Sequence, residues 1–167
     1  MTDHLADYLA LREANNRLRQ DGIETIWNSL ESILARHNED ISGQAGRHPL
    51  QIGRQEWQFT LDQSTLIGER LGLRLNFRTI VFEIGWPRLP EHGYVPGGGL
   101  ARGRVGFSQN TMLDPQPVAG IVLRRDPSGL SARWFLIAPN HQTGSLVGIG
   151  EELTPARIGQ FVNLLAD

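Results

Sequence analysis

The chain has 167 residues, a formal net charge of −2, 40% hydrophobic and 20% charged residues, values that are ordinary for one globular domain. It contains no cysteine, which excludes disulfides, thiolate nucleophiles and cysteine-ligated zinc. It also contains no lysine, so that all 16 basic residues are arginines. This excludes Schiff-base, phosphate-loop-lysine and kinase-type chemistry.

The composition and the first residues also bear on partners and location. No apolar run approaches the roughly 18 residues that a membrane-spanning helix needs. The opening MTDHLADYL lacks the basic and then apolar order of a signal peptide, so we expect a cytoplasmic protein without a membrane segment. Because acidic and basic residues nearly balance, nucleic acid is not an expected partner.

Residues 1–44 are predicted to form a helical arm. Thr2 is a suitable N-cap, Leu5, Tyr8 and Leu9 share one helical face, and Gly22 is a possible break or kink. A second apolar stripe follows at helical spacing: Ile23, Ile26, Trp27, Leu30, Ile33 and Leu34. That stripe either packs on the protein's own sheet or forms a seam between two chains.

Residues 45–153 are predicted to form an antiparallel sheet. Gln51 to Leu61 has the period-two pattern of a strand, whereas 65–71 could be a strand or a short helix. In 71–86 the apolar parity flips near Arg78 and Thr79. Either one bulged strand or a tight hairpin explains the flip, and the pattern alone leaves both open.

The C-terminal third continues the pattern. Residues 118–125 and 130–138 are predicted strands joined by the turn signal Asp-Pro-Ser-Gly at 126–129. Leu146, Val147 and Ile149 are expected in a last short strand, and residues 154–167 in a helix with Thr154 as its cap. The expected fold is α+β, with a mostly antiparallel sheet of about five or six strands between the arm and this helix.

One loop carries the candidate site. Glycines allow a backbone to approach an anion closely, and arginine binds phosphate or carboxylate through two N–H groups. We therefore predict ligand binding, without a cofactor, at a set of six residues, with the arginines on an exposed or site-facing loop edge: His92, Gly97, Gly98, Gly99, Arg102 and Arg104. The histidines, His141 included, are not spaced as metal ligands, so no metal site is expected.

Two further groups complete the predictions. Arg70, Arg74 and Arg78 are expected on the uncovered face of the sheet, as a solvated basic stripe. Aromatic residues from different elements are expected in one core: Trp57, Phe82, Trp134, Phe135 and Phe161.

These patterns contain no catalytic constellation. We therefore expect a non-enzymatic binding or assembly module that forms a homodimer, or binds a protein partner, through its N-terminal helices. A small enzyme or ligand-binding domain for an anionic compound is the alternative, and the sequence leaves open whether any catalysis occurs.

Overall fold

The computed structural model describes residues 2–137 and 149–166 and has an α+β fold, as predicted. Within these residues, one long helix is followed by a single antiparallel sheet of seven strands, in which each strand pairs with the next along the chain, and then by a short helix. The elements are α1 (Thr2–Asp40), β1 (Gln51–Leu61), β2 (Ser64–Leu75), β3 (Arg78–Trp86), β4 (Ala101–Ser108), β5 (Gln116–Arg125), β6 (Ala132–Ile137), β7 (Ile149–Glu152) and α2 (Pro155–Val162).

Two tight hairpins explain why the strand count exceeds five or six. Asp62 and Gln63 connect β1 to β2 with φ angles of 49° and 67°, the left-handed pair that a two-residue hairpin favours. Asn76, at φ 59°, and Phe77 connect β2 to β3. The parity flip is therefore a hairpin rather than a bulge, and residues 65–71 are strand rather than helix.

The two helices cover one face of the sheet. The apolar residues of α1 and α2 share one buried cluster with alternate residues of the strands, among them Phe82, Trp134 and Phe161. Trp57 and Phe135 lie on the opposite face, together with Gly68 and Val122, the residues with which they pair on the neighbouring strands. The prediction of one aromatic core is therefore wrong for these two residues. We call the face opposite the helices the open face.

The end of the chain follows its sequence signals. Thr154 Oγ1 accepts a hydrogen bond from the Arg157 amide at 3.2 Å, which caps α2 as predicted. The turn between β5 and β6 is fixed by Asp126, whose carboxylate accepts from the Gly129 amide at 3.0 Å. Of the predicted last strand, Ile149 begins β7, whereas Leu146 and Val147 lie outside the described residues.

Gly22 does not break α1, which is continuous from Thr2 to Asp40. Instead, it is a position where the helix packs tightly against β5 and β6. The indole Nε1 of Trp134 donates to the Gly22 carbonyl at 2.8 Å. A Cβ atom at Gly22 would lie 2.8 Å from Leu123 Cδ2 and 3.2 Å from the Trp134 nitrogen, so a side chain here would push the helix away.

Arg54 fastens the middle of α1 to the edge of the sheet. From β1 it donates to Glu69 on β2 at 2.6 Å and to Glu24 on α1 at 2.5 Å. Its guanidinium also lies 5.4 Å from the ring centre of Trp27 on the helix. The hydrogen bonds to Glu69 and Glu24 raise the pKa of Arg54, and the bond from Arg54 lowers the pKa of Glu24.

The close contact at Gly22 generates a stability prediction. We expect Gly22→Val to lower the free energy of unfolding by about 1–3 kcal/mol, because it overpacks the contact with Leu123 and Trp134. The matched control is Gly159→Val in α2, where a Cβ atom would meet nothing within 4 Å. Urea unfolding of both variants is the measurement, and equal stabilities would contradict the contact.

Candidate functional site

The first part of α1 projects beyond the sheet. Residues 3–14 are all exposed, and Leu18 is the first buried residue of the helix. We call the segment 3–17 the overhang. It carries four large apolar side chains with half or more of their surface exposed: Leu5 (61%), Tyr8 (60%), Leu9 (50%) and Leu11 (52%). Of the helices described, neither is long and apolar enough to cross a membrane.

The overhang continues the face by which α1 packs on the sheet. Leu5 and Ile23, like Tyr8 and Ile26, are 18 residues apart (23 − 5 and 26 − 8), which is five turns at 3.6 residues per turn. Ile23 and Ile26 are fully buried against the sheet. The exposed stripe therefore faces the same direction as the buried stripe, over a region where the sheet has ended.

Charge is distributed unevenly along the overhang. Asp3 and Asp7 are in its first half, whereas Arg12 and Arg17 are in its second half. The Arg17 guanidinium lies 3.8 Å from the Glu13 carboxylate, but both side chains are largely exposed, so this pair contributes little. The first half of the overhang, with Asp3 and Asp7, is thus acidic, and we call it the tip. The second half, with Arg12 and Arg17, is basic, and we call it the root.

The basic character increases where the helix meets the sheet. Arg19 donates to the Leu100 carbonyl at 2.6 Å and lies 5.3 Å from the ring centre of Trp86. Arg88 lies 3.9 Å from the same ring. Burial, with the nearby charges of Arg88 and Arg125, lowers the pKa of Arg19. These guanidiniums therefore form a partly desolvated cationic cluster that would favour an added anion.

The predicted glycine loop has a clear conformational role. Gly97 and Gly98 have φ angles of 69° and 71°, which favour glycine, and space is open around Gly98. Gly99 is close-packed, because a Cβ atom there would lie 2.8 Å from Val95 Cγ1 and 2.9 Å from Val122 Cγ2. The loop thus turns back over the open face and packs against it.

The other predicted site residues lie in two different settings. His92 ends a 3-10 turn, Pro90–His92, and its Nδ1 is buried without a hydrogen-bond partner among the described residues. Arg102 and Arg104 lie within β4 and point to the open face. The prediction that they lie on a loop edge is therefore wrong. Nowhere in residues 2–137 and 149–166 does a hydrogen bond join His92 to either arginine.

Both arginines are already paired with carboxylates. Arg104 donates to the buried Glu83 through Nε at 3.1 Å and through a terminal nitrogen at 3.0 Å. Arg102 pairs with Asp62 in the turn between β1 and β2. In the row of cross-strand pairs that contains Arg102, the residues on β3 and β2 are Gly85 and Gly68, which have no side chains. An anion-binding role for the loop stays a prediction.

The basic stripe predicted for the open face is only partly correct. Arg70 and Arg74 are on that face, but Arg78 is on the helix side, where it donates to the Leu165 carbonyl at 3.5 Å. The hairpin at Asn76 and Phe77 resets the alternation and places Arg78 opposite Leu75.

In the described part of the chain, no group of three or more histidine, aspartate or glutamate residues could hold a metal, and His141 lies outside that part.

Comparison of the chain with protein-family models, with characterised proteins and with solved structures finds no match. Function is therefore inferred from the geometry of the arm, the loop and the open face. The patterns did not reveal the cluster of Arg19, Trp86 and Arg88, because its members come from distant parts of the chain.

The ion pair of Arg104 generates the second prediction. Arg104→Ala should lower the free energy of unfolding by about 2–3 kcal/mol, since it leaves the buried Glu83 carboxylate without its partner. We expect a smaller loss of stability than for a fully buried ion pair, because the Arg104 side chain is 32% exposed. Chemical denaturation at pH 7 is the measurement.

The matched control replaces both partners. Glu83→Leu combined with Arg104→Met removes the charges and keeps the volume, so it should recover most of the loss. Arg102→Ala should cost less than Arg104→Ala, because its partner Asp62 is half exposed and stays hydrated. Wild-type stability in Arg104→Ala would contradict a structural role for this pair.

Proposed function

We propose that the protein is a non-enzymatic assembly module that forms a homodimer through the overhang of α1, with the two overhangs antiparallel about a twofold axis. The observation that carries the proposal is the exposed apolar stripe of Leu5, Tyr8 and Leu9, which continues the buried face of the same helix. A second chain would cover this stripe as the sheet covers Ile23 and Ile26.

Helix energetics support a partner for the overhang. A segment of this length is marginal as an isolated helix, because most helical stability in proteins comes from packing of an apolar face. Asn15 and Asn16 have low helix propensity, which weakens the segment further. Burying the apolar side chains would stabilise the segment by roughly 1.5–3 kcal/mol for each large residue that becomes fully buried.

Charge complementarity favours a second copy of this chain as the partner. In an antiparallel pair, the acidic tip with Asp3 and Asp7 would lie beside the basic root with Arg12 and Arg17 of the other chain. Because the two chains are related by a twofold axis, this contact between acidic and basic segments occurs twice, as in any isologous interface. The cationic cluster at Arg19 and Arg88 would extend the attraction at each end.

The loops at this end of the sheet supply further apolar surface. Leu89 and Tyr94 lie in the connection between β3 and β4, and Leu130 lies in the turn between β5 and β6. All three are exposed. By contrast, the arginines that the alternative anion site needs, Arg102 and Arg104, already bind carboxylates. This difference favours the arm over the glycine loop as the functional element.

The apolar stripe can be tested by substitution without touching the core. We expect the triple variant Leu5→Gln, Tyr8→Gln and Leu9→Gln to weaken dimerisation by about 100-fold or more, because both chains of the dimer lose their apolar stripe. The matched control is Met112→Gln with Leu113→Gln, two exposed apolar residues on the connection between β4 and β5. Sedimentation equilibrium over a concentration series measures the dissociation constant.

A deletion of residues 1–16 provides an independent measurement, since it keeps Leu18, Arg19 and the rest of the packed helix. The shortened chain should be a folded monomer by circular dichroism and sedimentation. A full-length protein that is monomeric at micromolar concentration would overturn the proposal, as would a shortened chain that is still fully dimeric.

The antiparallel arrangement makes a separate prediction about charge. Asp3→Arg with Asp7→Arg should weaken the dimer, because it places basic side chains beside Arg12 and Arg17. Adding Arg12→Asp and Arg17→Asp to the same chain should restore dimerisation, since the charges are then exchanged and complementary again. Sedimentation at low and high salt is the measurement. A fourfold variant that dimerises no better than the double variant would contradict the antiparallel arrangement.

A further inference from the structure

A trough runs across the strands of the open face. Its floor is one row of paired residues on β1 to β3, namely Gly53, Gly72 and Val81, and the same row continues to Gly106 on β4 beyond the cavity. Two of the three floor residues have no side chain, so the floor is low compared with the rows on either side. The cavity volume is about 540 Å³, within the range of sites for small molecules.

The trough is closed at one end and open at the other. At Gly106, a Cβ atom would lie 3.0 Å from Pro115 Cβ, so the connection between β4 and β5 blocks that end. At Gly53, which is on the edge strand β1, a Cβ atom would meet nothing within 4 Å. A ligand would therefore enter over the edge of β1 and stop below Pro115.

The walls of the trough are polar and basic. Gln55 and Arg70 pair in the row on one side of the floor. On the other side, Gln51 pairs with Arg74, which in turn pairs with Thr79. In a strand, residues four positions apart are separated by about 13 Å, so Arg70 and Arg74 stand on opposite sides of Gly72.

The two arginines are held in place without being neutralised. Arg70 lies 4.6 Å from the ring centre of Trp57, and Arg74 donates through Nε to the Asn76 carbonyl at 2.8 Å. In the part of the chain that the structure describes, neither forms an ion pair with a carboxylate. Glu83, the cross-strand neighbour of Arg70, is bonded to Arg104 instead. The terminal N–H groups of both arginines are therefore available to an oxyanion.

We propose that this trough binds a small molecule with a flat body and a phosphate or carboxylate group. The body lies on Gly53, Gly72 and Val81, where the low floor leaves a slot. The oxyanion accepts hydrogen bonds from the guanidinium of Arg70 or Arg74, which bind either group through paired N–H donors. The proposal goes beyond assembly through the overhang, because the trough is on the face of the sheet opposite α1.

The test uses two simple probes and a neutral control. Phenyl phosphate and benzoate carry the two possible anions on the same flat ring, and benzyl alcohol carries no charge. We expect amide chemical shifts of Gly53 and Gly72 to move with either anion and not with the alcohol. A response to only one anion identifies phosphate or carboxylate as the recognised group, and a response to both identifies the oxyanion as such.

Variants separate binding in the trough from general attraction to arginine. Of Arg70→Gln and Arg74→Gln, at least the variant that removes the arginine bound to the oxyanion should weaken binding about 10-fold or more, and wild-type affinity in both variants would overturn the proposal. The matched control is Arg124→Gln, an exposed arginine on β5 that lies outside the trough and changes the net charge equally. Binding that falls by the same factor in Arg124→Gln would overturn the proposal.

A steric variant tests the floor. A Cβ atom at Gly72 would lie at an ordinary distance of 3.5 Å from the Ile80 carbonyl, so Gly72→Val should fold normally and fill the slot. We expect it to abolish the shifts of the Gly53 amide while thermal unfolding and dimerisation stay as in the wild type. The proposal would be overturned if neither anion shifts the Gly53 and Gly72 amides of the wild-type protein. It would also be overturned if Gly72→Val binds as tightly as the wild type.

Discussion

The structure depends on the contact between Gly22 of α1 and the indole of Trp134. Because Gly22 has no side chain, the helix backbone comes close enough for its carbonyl to accept a hydrogen bond from β6. This contact fixes where along its length a helix of 39 residues crosses the sheet. The position of the crossing then decides that Ile23 and Ile26 are buried and that Leu5 and Tyr8 are not. Arg19 and Arg54 hold the helix in the same place, and the overhang on which assembly would depend follows from this placement.

Much of the fold could be predicted from local patterns. Period-two alternation located β1, the turn at Asp126 located the hairpin of β5 and β6, and Thr154 located the start of α2. These signals are reliable because the residues that cause each feature are close together in sequence. The parity flip near Arg78 was also a local signal, but a bulge and a hairpin produce the same alternation. The left-handed backbone at Asn76 distinguishes them, and it is visible only in the structure.

The candidate sites were harder to predict, because distant residues determine what each side chain can do. Arg104 looked available in sequence, but Glu83, 21 residues away, occupies its guanidinium. Arg102 is similarly bound by Asp62, 40 residues away. Gly22 looked like a helix break because glycine is unfavourable in helices, and only the position of Leu123 and Trp134 explains it. Arg70 and Arg74, in contrast, contact an aromatic ring and a carbonyl, and the described residues place no carboxylate in an ion pair with either.

The order of the elements has a consequence for synthesis of the protein on the ribosome. In the sheet, each strand pairs with its predecessor, so hairpins can form as the chain emerges. The helix α1 is synthesised first, but Trp134, which donates a hydrogen bond to the Gly22 carbonyl, follows 112 positions later. At a synthesis rate of about 5–20 residues per second, Trp134 would be made roughly 6–22 seconds after Gly22. During that interval, both Leu5 and Ile23 are uncovered, and a chaperone or a neighbouring nascent chain would have access to the whole stripe.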